Sequence, residues 1–433
     1  MQVMKWSTIA LAVAAGSTQM AFASSQSESN GFIEDSSFDI FNRVLYMNRD
    51  FRNGASNGAG TGDNGYREET GWGLRTLFES GFTQGTIGVG FDAHTLSSLA
   101  LDSGRGRYGT DQFDKSSDGS AEKTQTEVGG AIKFRVSNTG LKYGSQFVGS
   151  PVFSTDDSRI LPEVATGTYL VSNEIEGLEL SGGRFTAMSS QTSTDRDTFE
   201  LKAANIYGAN YAFTDNLSAG LHYSDVEDYW KKTYLNVNWN LPIAEGQNLN
   251  FDVNGYHTSG DGQELGATDD GKGGTSTDND LWSIAAAYGI GAHTFTVAYQ
   301  RSTGDAALYN YGVDGGGTIW VANSVQFSDF VSRDEQSYQA RYDLNMAEYG
   351  VPGLSFMARY IYGDNIDTGV AGEEGKEHEF DFETKYVIQS GAAKDLSFRI
   401  RSAIYRANDA QNDFYASDVN DFRFIMDYPL DVM

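Results

Sequence analysis

The feature that most constrains this chain is a strict alternation of apolar and charged residues in successive short segments. In the segment from Leu396 to Arg406, Arg399 and Arg401 share one face, and the opposite face is mostly apolar: Leu396, Phe398, Ile400, Ser402 and Ile404. Side chains that recur at every second residue lie on one face of a β-strand. The segment is therefore predicted to be a strand with one apolar and one basic face.

The neighbouring segments repeat this pattern. In FDFETKYVIQ (380–389) the charged face carries Asp381, Glu383 and Lys385, and in DFRFIMDYPL (421–430) it carries Asp421, Arg423 and Asp427. If the three segments pair as consecutive antiparallel strands, one wall receives four cations, which we call the basic ladder: Lys385, Arg399, Arg401 and Arg423. A closed barrel with apolar residues outside and water inside explains the repetition. A large soluble β-sandwich with its aromatic residues in the core is the alternative.

The connections between these segments alternate between tight turns and long loops. Tight turns are predicted at 81–84, 138–140 and 214–215, and long loops at 97–121, 258–279 and 302–334. About 18 segments result, an even number with the short turns on the side of the termini, as in outer-membrane barrels. The predicted fold class is all-β: a transmembrane antiparallel β-barrel with short periplasmic turns and long extracellular loops.

Composition limits the alternatives. The 433 residues carry a formal net charge of -28 and no Cys. The acidic balance argues against a nucleic-acid partner, and the absence of Cys excludes disulfide scaffolds and thiolate metal sites. No run of about 20 apolar residues is present, so any membrane crossing must use strands. Acidic loop residues such as Glu373 and Glu374 are interpreted as solvated charge, with divalent-cation binding at a lipopolysaccharide surface as the alternative.

Residues 1–23 are predicted to be a signal peptide. Lys5 precedes an apolar stretch at 9–15, and Ala21-Phe22-Ala23 provides a small-x-small cleavage site. The predicted destination is beyond the inner membrane. Residues 24–433 are predicted to form a single barrel domain, whose polar beginning at 24–30 is expected to be loosely held.

Catalytic and metal-binding motifs are poorly represented. The five His residues stand apart without an HExxH pattern, and no GxSxG elbow occurs. The expectation is therefore no metal, no cofactor and no enzyme activity. A barrel hydrolase would need a Ser, a His and an acid within hydrogen-bond reach.

The sequence resembles the OprD family of substrate-specific outer-membrane porins, the Occ-type carboxylate channels, over nearly its whole length. The matching segments include GFIEDSS (31–37), NRD (48–50), ESGFTQGT (79–86), ANSVQFSDF (322–330) and AKDLSFRIR (393–401). The resemblance implies a monomeric 18-stranded barrel whose loops fold inward and narrow the pore. It also implies a basic ladder that selects small molecules bearing a carboxylate.

The resemblance extends the ladder and adds an acidic side. The family's ladder positions correspond here to Arg49, Arg67, Arg159, Lys385, Arg399, Arg401 and Arg423. Arg49, Arg67 and Arg159 rest on the resemblance, as does Asp329 on the acidic side of the narrowest part of the pore. Three features of this sequence depart from the family pattern. Phe327 stands where the family has a Tyr, Gly317 stands where it has a second Asp, and the region 188–197 is shorter than the corresponding region of the family. Met433 replaces the terminal aromatic residue common in such barrels.

The function expected from this sequence is passive, selective diffusion of small carboxylates across the bacterial outer membrane. Amino acids, other organic acids and small antibiotics belong to this class, and several basic groups in series let an anion pass without deep trapping. The expected surroundings are outer-membrane lipid and lipopolysaccharide. The alternative is an adhesin-like barrel whose long loops bind a host or matrix partner.

Overall fold

The structure of the protein is a computed structural model. It describes residues 25–53, 65–104, 106–117, 120–269, 275–313 and 317–433. The signal peptide predicted for residues 1–23 lies outside the described residues.

Strands account for nearly all regular structure. In chain order they are β1 Ser37–Phe51, β2 Tyr66–Glu79, β3 Gly88–Asp102, β4 Thr124–Val136, β5 Thr139–Gln146, β6 Gly149–Ser150, β7 Phe153–Ser154, β8 Val164–Ile175, β9 Leu178–Ser189, β10 Ala204–Thr214, β11 Leu217–Val226, β12 Trp230–Ala244, β13 Gln247–Gly260, β14 Thr268–Asp269, β15 Thr275–Ser276, β16 Asn279–Ile290, β17 His293–Gly304, β18 Gln336–Asn345, β19 Leu354–Asp367, β20 Glu374–Val387, β21 Ser397–Ala407 and β22 Val419–Asp431. The helix α1 spans Asp409–Phe414, and two 3₁₀ turns span Gln26–Glu28 and Met346–Tyr349.

Eighteen of these strands form one closed antiparallel sheet. Each pairs with the next barrel strand in the chain, and β1 closes the ring by pairing with β22, from Asp39 opposite Asp431 to Phe51 opposite Val419. The short strands β6 and β7 pair with each other, as do β14 and β15. The predicted 18-stranded barrel is thus confirmed. No helix in the described part of the chain is long and apolar enough to span a bilayer.

The alternation seen in the sequence separates the two faces of the wall. On β20, Phe380 and Phe382 are 42% and 40% exposed on the outer face, while Glu379 and Asp381, which alternate with them, are buried on the inner face. On β21, Ile400 and Ile404 continue the apolar surface. Outward apolar residues in such a barrel contact lipid, and the charged residues therefore line the lumen.

Two long loops fold into the barrel and build a core there. We call residues 147–163 loop L3 and residues 305–335 loop L7. Phe153 of L3 stacks on Phe185 of the wall with ring centroids 5.1 Å apart. The Tyr256 hydroxyl donates to the Pro151 carbonyl and accepts from the Trp320 amide, each at 3.0 Å. The two loops are therefore packed against the inner wall and against each other.

A glycine on the inner wall makes room for L3. A Cβ atom at Gly73 of β2 would lie 2.7 Å from the Ile160 carbonyl oxygen. A larger side chain at this position would push the L3 backbone away from the wall.

Residues 25–30, the described part of the segment 24–30, are held more firmly than expected. Gln26 is 4% exposed, its amide N–H donates to the Ser137 carbonyl at 2.8 Å, and its side chain donates to the Thr83 carbonyl at 2.8 Å. The Ser29 hydroxyl donates to the Phe82 carbonyl at 2.7 Å. The expectation of a loose segment was wrong for these residues, because the side chains of Gln26 and Ser29 donate to carbonyls of the periplasmic turn at 81–84.

Candidate functional site

The four cations predicted from alternation lie side by side on the lumenal wall. Lys385 of β20 is opposite Arg399 of β21, and Arg401 of β21 is opposite Arg423 of β22. Arg399 and Arg401 are two residues apart on one strand and therefore project from the same face. The register thus brings cations from three consecutive strands together, with Lys385 and Arg399 nearest the periplasmic turn between β20 and β21.

One carboxylate serves both arginines of β21. Arg399 Nη2 lies 2.7 Å from Glu383 Oε2, and Arg401 Nε lies 3.3 Å from the same oxygen. The Arg399 and Arg401 side chains keep 31% and 19% of their surface exposed. Two guanidiniums with one shared counter-ion leave a net positive charge on this part of the wall, with N–H donors directed into the lumen.

The ladder continues toward the extracellular side through Arg49 and Arg67, which lie opposite each other on β1 and β2. Arg49 Nε lies 2.9 Å from Asp421 Oδ2, and Arg423 Nε lies 2.8 Å from Asp421 Oδ1. The fully buried carboxylate of Asp421 therefore links Arg49 of β1 to Arg423 of the basic ladder.

Arg159 reaches this group from L3. Its Nε donates to the Thr110 carbonyl at 3.0 Å, and its Nη2 lies 3.6 Å from Asp111 Oδ2. Burial lowers the pKa of Arg159, and the neighbouring charges of Arg423 and Arg49 lower it further. Arginine nevertheless stays protonated at neutral pH. Guanidiniums from a loop and from two strands therefore converge where L3 narrows the lumen.

Two further arginines, which the sequence interpretation did not single out, hold L3 against the wall. Arg43 Nη1 lies 3.0 Å and Arg75 Nη2 lies 2.6 Å from Asp157 Oδ1. Burial opposes ionisation of Asp157, but the two guanidiniums outweigh it and keep the pKa of this carboxyl below its usual value. The signal for both was present, since even spacings separate Arg43 from Arg49 and Arg67 from Arg75.

Residues that lie opposite one another on successive strands, most of them charged, form one row along the wall from β18 to β2. Arg341 of β18 is opposite Arg359 of β19, which is opposite Asp381 of β20. Arg359 Nε lies 2.6 Å from Asp381 Oδ2. From Asp381 the row continues through Ala403, Asp421, Arg49 and Arg67. Because strands in such barrels tilt by roughly 35–45°, this row climbs obliquely around the pore.

The acidic side of the site lies on L7. Asp329 Oδ1 accepts from the Ser324 hydroxyl at 2.5 Å, and its Oδ2 accepts from the Tyr311 hydroxyl at 2.7 Å. Burial raises the pKa of Asp329 although both hydroxyls oppose the shift, and the carboxylate of Asp156 adds to it. Tyr311, which the sequence interpretation missed, thus gives the acidic side its tyrosine.

Phe327 and Gly317, the two positions of L7 that differ from the family pattern, have different surroundings. The guanidinium carbon of Arg49 lies 5.6 Å from the centroid of the Phe327 ring, and the Phe327 amide donates to Glu379 Oε1 at 3.0 Å. Phe327 therefore packs on the basic side and adds no hydroxyl to Asp329. Gly317 has a φ of +86°, a conformation that favours glycine over aspartate.

The wall opposite the ladder is nearly neutral and rich in asparagine. Asn236 and Asn238 of β12 both donate to Asp252 Oδ1 of β13 at 3.0 Å. The lumenal residues of this amide wall are Asn236, Asn238, Asn240, Asn248, Asn250, Asp252 and Asn254. In the strand order, β12 and β13 lie about halfway around the barrel from β21 and β22. The positive charge of the pore is therefore concentrated on one side.

The His residues give no centre for catalysis or metal binding. They lie on five different strands at His94, His222, His257, His293 and His378. His257 Nδ1 lies 2.7 Å from Asp280 Oδ1, but both side chains are exposed. Within the described ranges, no group of three or more His, Asp or Glu side chains is placed to hold a metal ion.

Comparison with known proteins gives consistent matches. A family model described as outer membrane porin, OprD family, matches residues 30–432. Porin D of Pseudomonas aeruginosa is 45% identical to this chain over 464 residues, which cover 100% of both sequences.

Solved structures match over most of their length. The crystal structure of Acinetobacter baumannii OccAB1 superposes with a TM-score of 0.87 at 33% identity, covering 94% of this chain and 99% of that one. Pseudomonas aeruginosa OpdK with vanillate superposes with a TM-score of 0.79 at 32% identity, covering 93% of this chain and 100% of that one.

Proposed function

Because the chain belongs to the OprD family of outer membrane porins, we propose that it lets small carboxylate-bearing solutes diffuse passively and selectively along its basic ladder. The family and the closed barrel are those of a non-enzymatic channel of the outer membrane. The proposal adds a substrate class and the residues that bind it: Arg49, Arg67, Arg159, Lys385, Arg399, Arg401 and Arg423.

The proposal rests mainly on one observation: arginines of the ladder share a single carboxylate counter-ion, so positive charge is left over on the wall. Arg399 and Arg401 share Glu383, and both keep part of their surface open to the lumen. A planar guanidinium with unused N–H groups binds a carboxylate through charge-assisted hydrogen bonds. Several such groups in series favour entry of an anion without holding it at a single position.

The related channel OpdK offers independent support for this substrate class. OpdK was solved with vanillate, which is a carboxylate anion. The present chain shares its fold, and its own guanidiniums, including Arg159 of L3, lie together beside the ladder.

The acidic side broadens the class to solutes that also carry a cation. An amino acid would direct its carboxylate to the Arg49 and Arg159 side and its ammonium to Asp329 and the Tyr311 hydroxyl oxygen. Organic acids without a cationic group would use the ladder alone. Small antibiotics that bear a carboxylate fall within the same class.

The test is to replace Arg399 and Arg401 together by Ala. We expect a lower single-channel conductance and a weaker anion preference, because the ladder loses its two positive charges on β21 while the negative charge of Glu383 remains. Reversal potentials in a salt gradient across planar bilayers measure this preference. Arg52→Ala is the matched control, because Arg52 is 46% exposed and pairs with Asp50 at 2.8 Å. Unchanged selectivity in the double variant would overturn the proposed role of the ladder.

We further propose that the channel acts as a monomer surrounded by outer-membrane lipid and lipopolysaccharide. In this proposal residues 1–23 are the export signal and residues 24–433 form the single barrel domain. N-terminal sequencing of the exported protein tests the cleavage site, and the mass of the detergent-solubilised barrel tests the oligomeric state.

A further inference from the structure

We propose that Arg301 and Arg184, on the outer face of the barrel, bind the phosphate groups of lipopolysaccharide in the extracellular leaflet. This inference rests on the outer-membrane location of the chain and not on the substrate of the pore.

The strand pattern places Arg301 on the lipid side at the extracellular edge. Phe295 and Val297 of β17 are 50% and 62% exposed, whereas Thr296 and Gln300 are buried on the inner face. Arg301 follows the outward parity, and its partner in the register is Gln336, the first residue of β18. The guanidinium therefore leaves the barrel where the lipid-facing surface ends.

Aromatic residues directly below Arg301 mark the depth of the lipid head groups. Arg301 lies opposite Trp282 of β16. The Trp282 ring is 5.3 Å from the Tyr299 ring, which is 5.2 Å from the Tyr338 ring. Girdles of Trp and Tyr form at the membrane–water interface of such barrels. Arg301 is therefore at the level where the phosphates of an outer-leaflet lipid lie.

Arg184 of β9 also follows the outward parity, since Leu180 is exposed and Phe185 is buried. Its partner in the register is Asn205, the second residue of β10.

Both arginines are oriented by a neutral group. Arg301 Nη1 donates to Gln336 Oε1 at 3.3 Å, and Arg184 Nη1 donates to Asn205 Oδ1 at 3.0 Å. Neither forms an ion pair with a carboxylate among the residues that the structure describes. An amide acceptor fixes the guanidinium plane but leaves its charge uncompensated and most of its N–H groups available.

Arg406 shows how an arginine at this edge can be used differently. Its Nη1 donates to the carbonyls of Tyr405 at 2.6 Å and Val419 at 3.1 Å, and its Nη2 donates to Asn420 Oδ1 at 2.8 Å. These bonds cap the end of the sheet. The guanidinium N–H groups of Arg406 therefore form hydrogen bonds within the protein, whereas most of those of Arg301 and Arg184 do not.

The surroundings favour a lipid phosphate over a free anion. Gln336 also donates to Asp364 Oδ1 at 2.9 Å, and Asp280 lies opposite Thr303 at the same edge. These carboxylates, in a chain of net charge -28, repel anions in solution. A lipid is held beside Arg301 by its acyl chains on the apolar surface, so its phosphate needs only the charge-assisted contact with the guanidinium.

The experiment compares lipid binding by the purified full-length barrel and its variants. Native mass spectrometry measures the binding of lipid A and of dephosphorylated lipid A to the wild type, to R301Q, to R184Q and to the double variant. We expect the wild type to prefer the phosphorylated lipid about tenfold, each single variant to prefer it less, and the double variant to lose the preference. Lys231→Gln is the control, because Lys231 already pairs with Asp261 at 2.7 Å, and it should keep the preference.

Three results would overturn the proposal. They are an unchanged preference in the double variant, equal binding of both lipids by the wild type, and displacement of lipid A by inorganic phosphate, which would indicate a site for the free anion. Heat-dependent mobility on gels verifies that each variant is folded. Reversal potentials of the same variants should equal that of the wild type, so failure of this inference is separable from failure of the proposed ladder.

Discussion

At the scale of single residues, the lumenal arginines are stabilised by carboxylates that they share. Glu383 contacts both Arg399 and Arg401, and Asp421 is shared in the same way by two other guanidiniums. A shared counter-ion offsets part of the cost of bringing cations together, yet it leaves donors unused. The residues that hold the ladder in place are therefore also those that set its net charge.

The raised pKa of Asp329 makes selectivity depend on pH. Because burial raises this pKa, Asp329 becomes protonated at a higher pH than an exposed carboxyl as the pH falls. The arginines stay charged, so the lumen becomes more positive and the anion preference of the wild type should increase between about pH 7 and about pH 4. Reversal potentials across this range measure the change.

The variant Asp329→Asn separates this group from the other lumenal carboxylates. It should already show the higher anion preference at neutral pH and should respond less to acid. A variant with the same pH response as the wild type would assign the titration to another group, and Asp156→Asn is the first to compare, since burial also raises the pKa of Asp156.

At the scale of elements, the two inner loops are attached to the wall by different chemistry. L3 is held by the ion pairs of Asp157, whereas L7 is held mainly by hydrogen bonds from its backbone. Along L7 the amides of Ala322, Asn323 and Phe327 donate to the side chains of Ser283, Gln300 and Glu379. L3 therefore depends mainly on charge, and L7 depends mainly on polar side chains of the wall from β16 to β20 that accept its amides, with an ion pair between Arg333 and Asp367.

Removing the charge of Asp157 should detach L3. In Asp157→Asn two guanidiniums lose their shared partner, and we expect a loss of about 3 kcal/mol in the free energy of unfolding, together with noisier single-channel current. Chemical unfolding in detergent and bilayer recordings measure the two effects. Asp102→Asn is the control, because Asp102 is 57% exposed in its pair with Arg107 and should cost less than about 1 kcal/mol. Equal losses in both variants would contradict the proposed anchoring of L3.

At the scale of the whole molecule, the closed wall has an outer face in lipid and an inner face in water. Val297, in the middle of β17, is 62% exposed on the outer face. The variant Val297→Arg should make folding into liposomes less favourable by about 2–4 kcal/mol. Asn238→Arg, on the lumenal amide wall, should change the free energy of folding much less, because water solvates the new charge. Similar costs at the two positions would be incompatible with the assigned faces.

The sequence was sufficient for the wall and insufficient for the loops. Alternation identified the faces of Phe380 and Lys385 because every second residue repeats the same environment. It offered nothing about Tyr311, which meets Asp329 through the irregular backbone of L7, or about Arg159, whose neighbours come from distant strands. Such contacts depend on how loops of no fixed period fold inside a closed wall, and only coordinates reveal them.

The oblique row of charges from Arg341 to Arg67 gives the pore a handedness. In the proposed transport, a solute that passes from one guanidinium to the next would rotate about the pore axis as it moves along the pore. A rigid molecule with a carboxylate and a second polar group would meet a succession of contacts that its mirror image cannot reproduce. We therefore expect transport through this barrel to distinguish enantiomers.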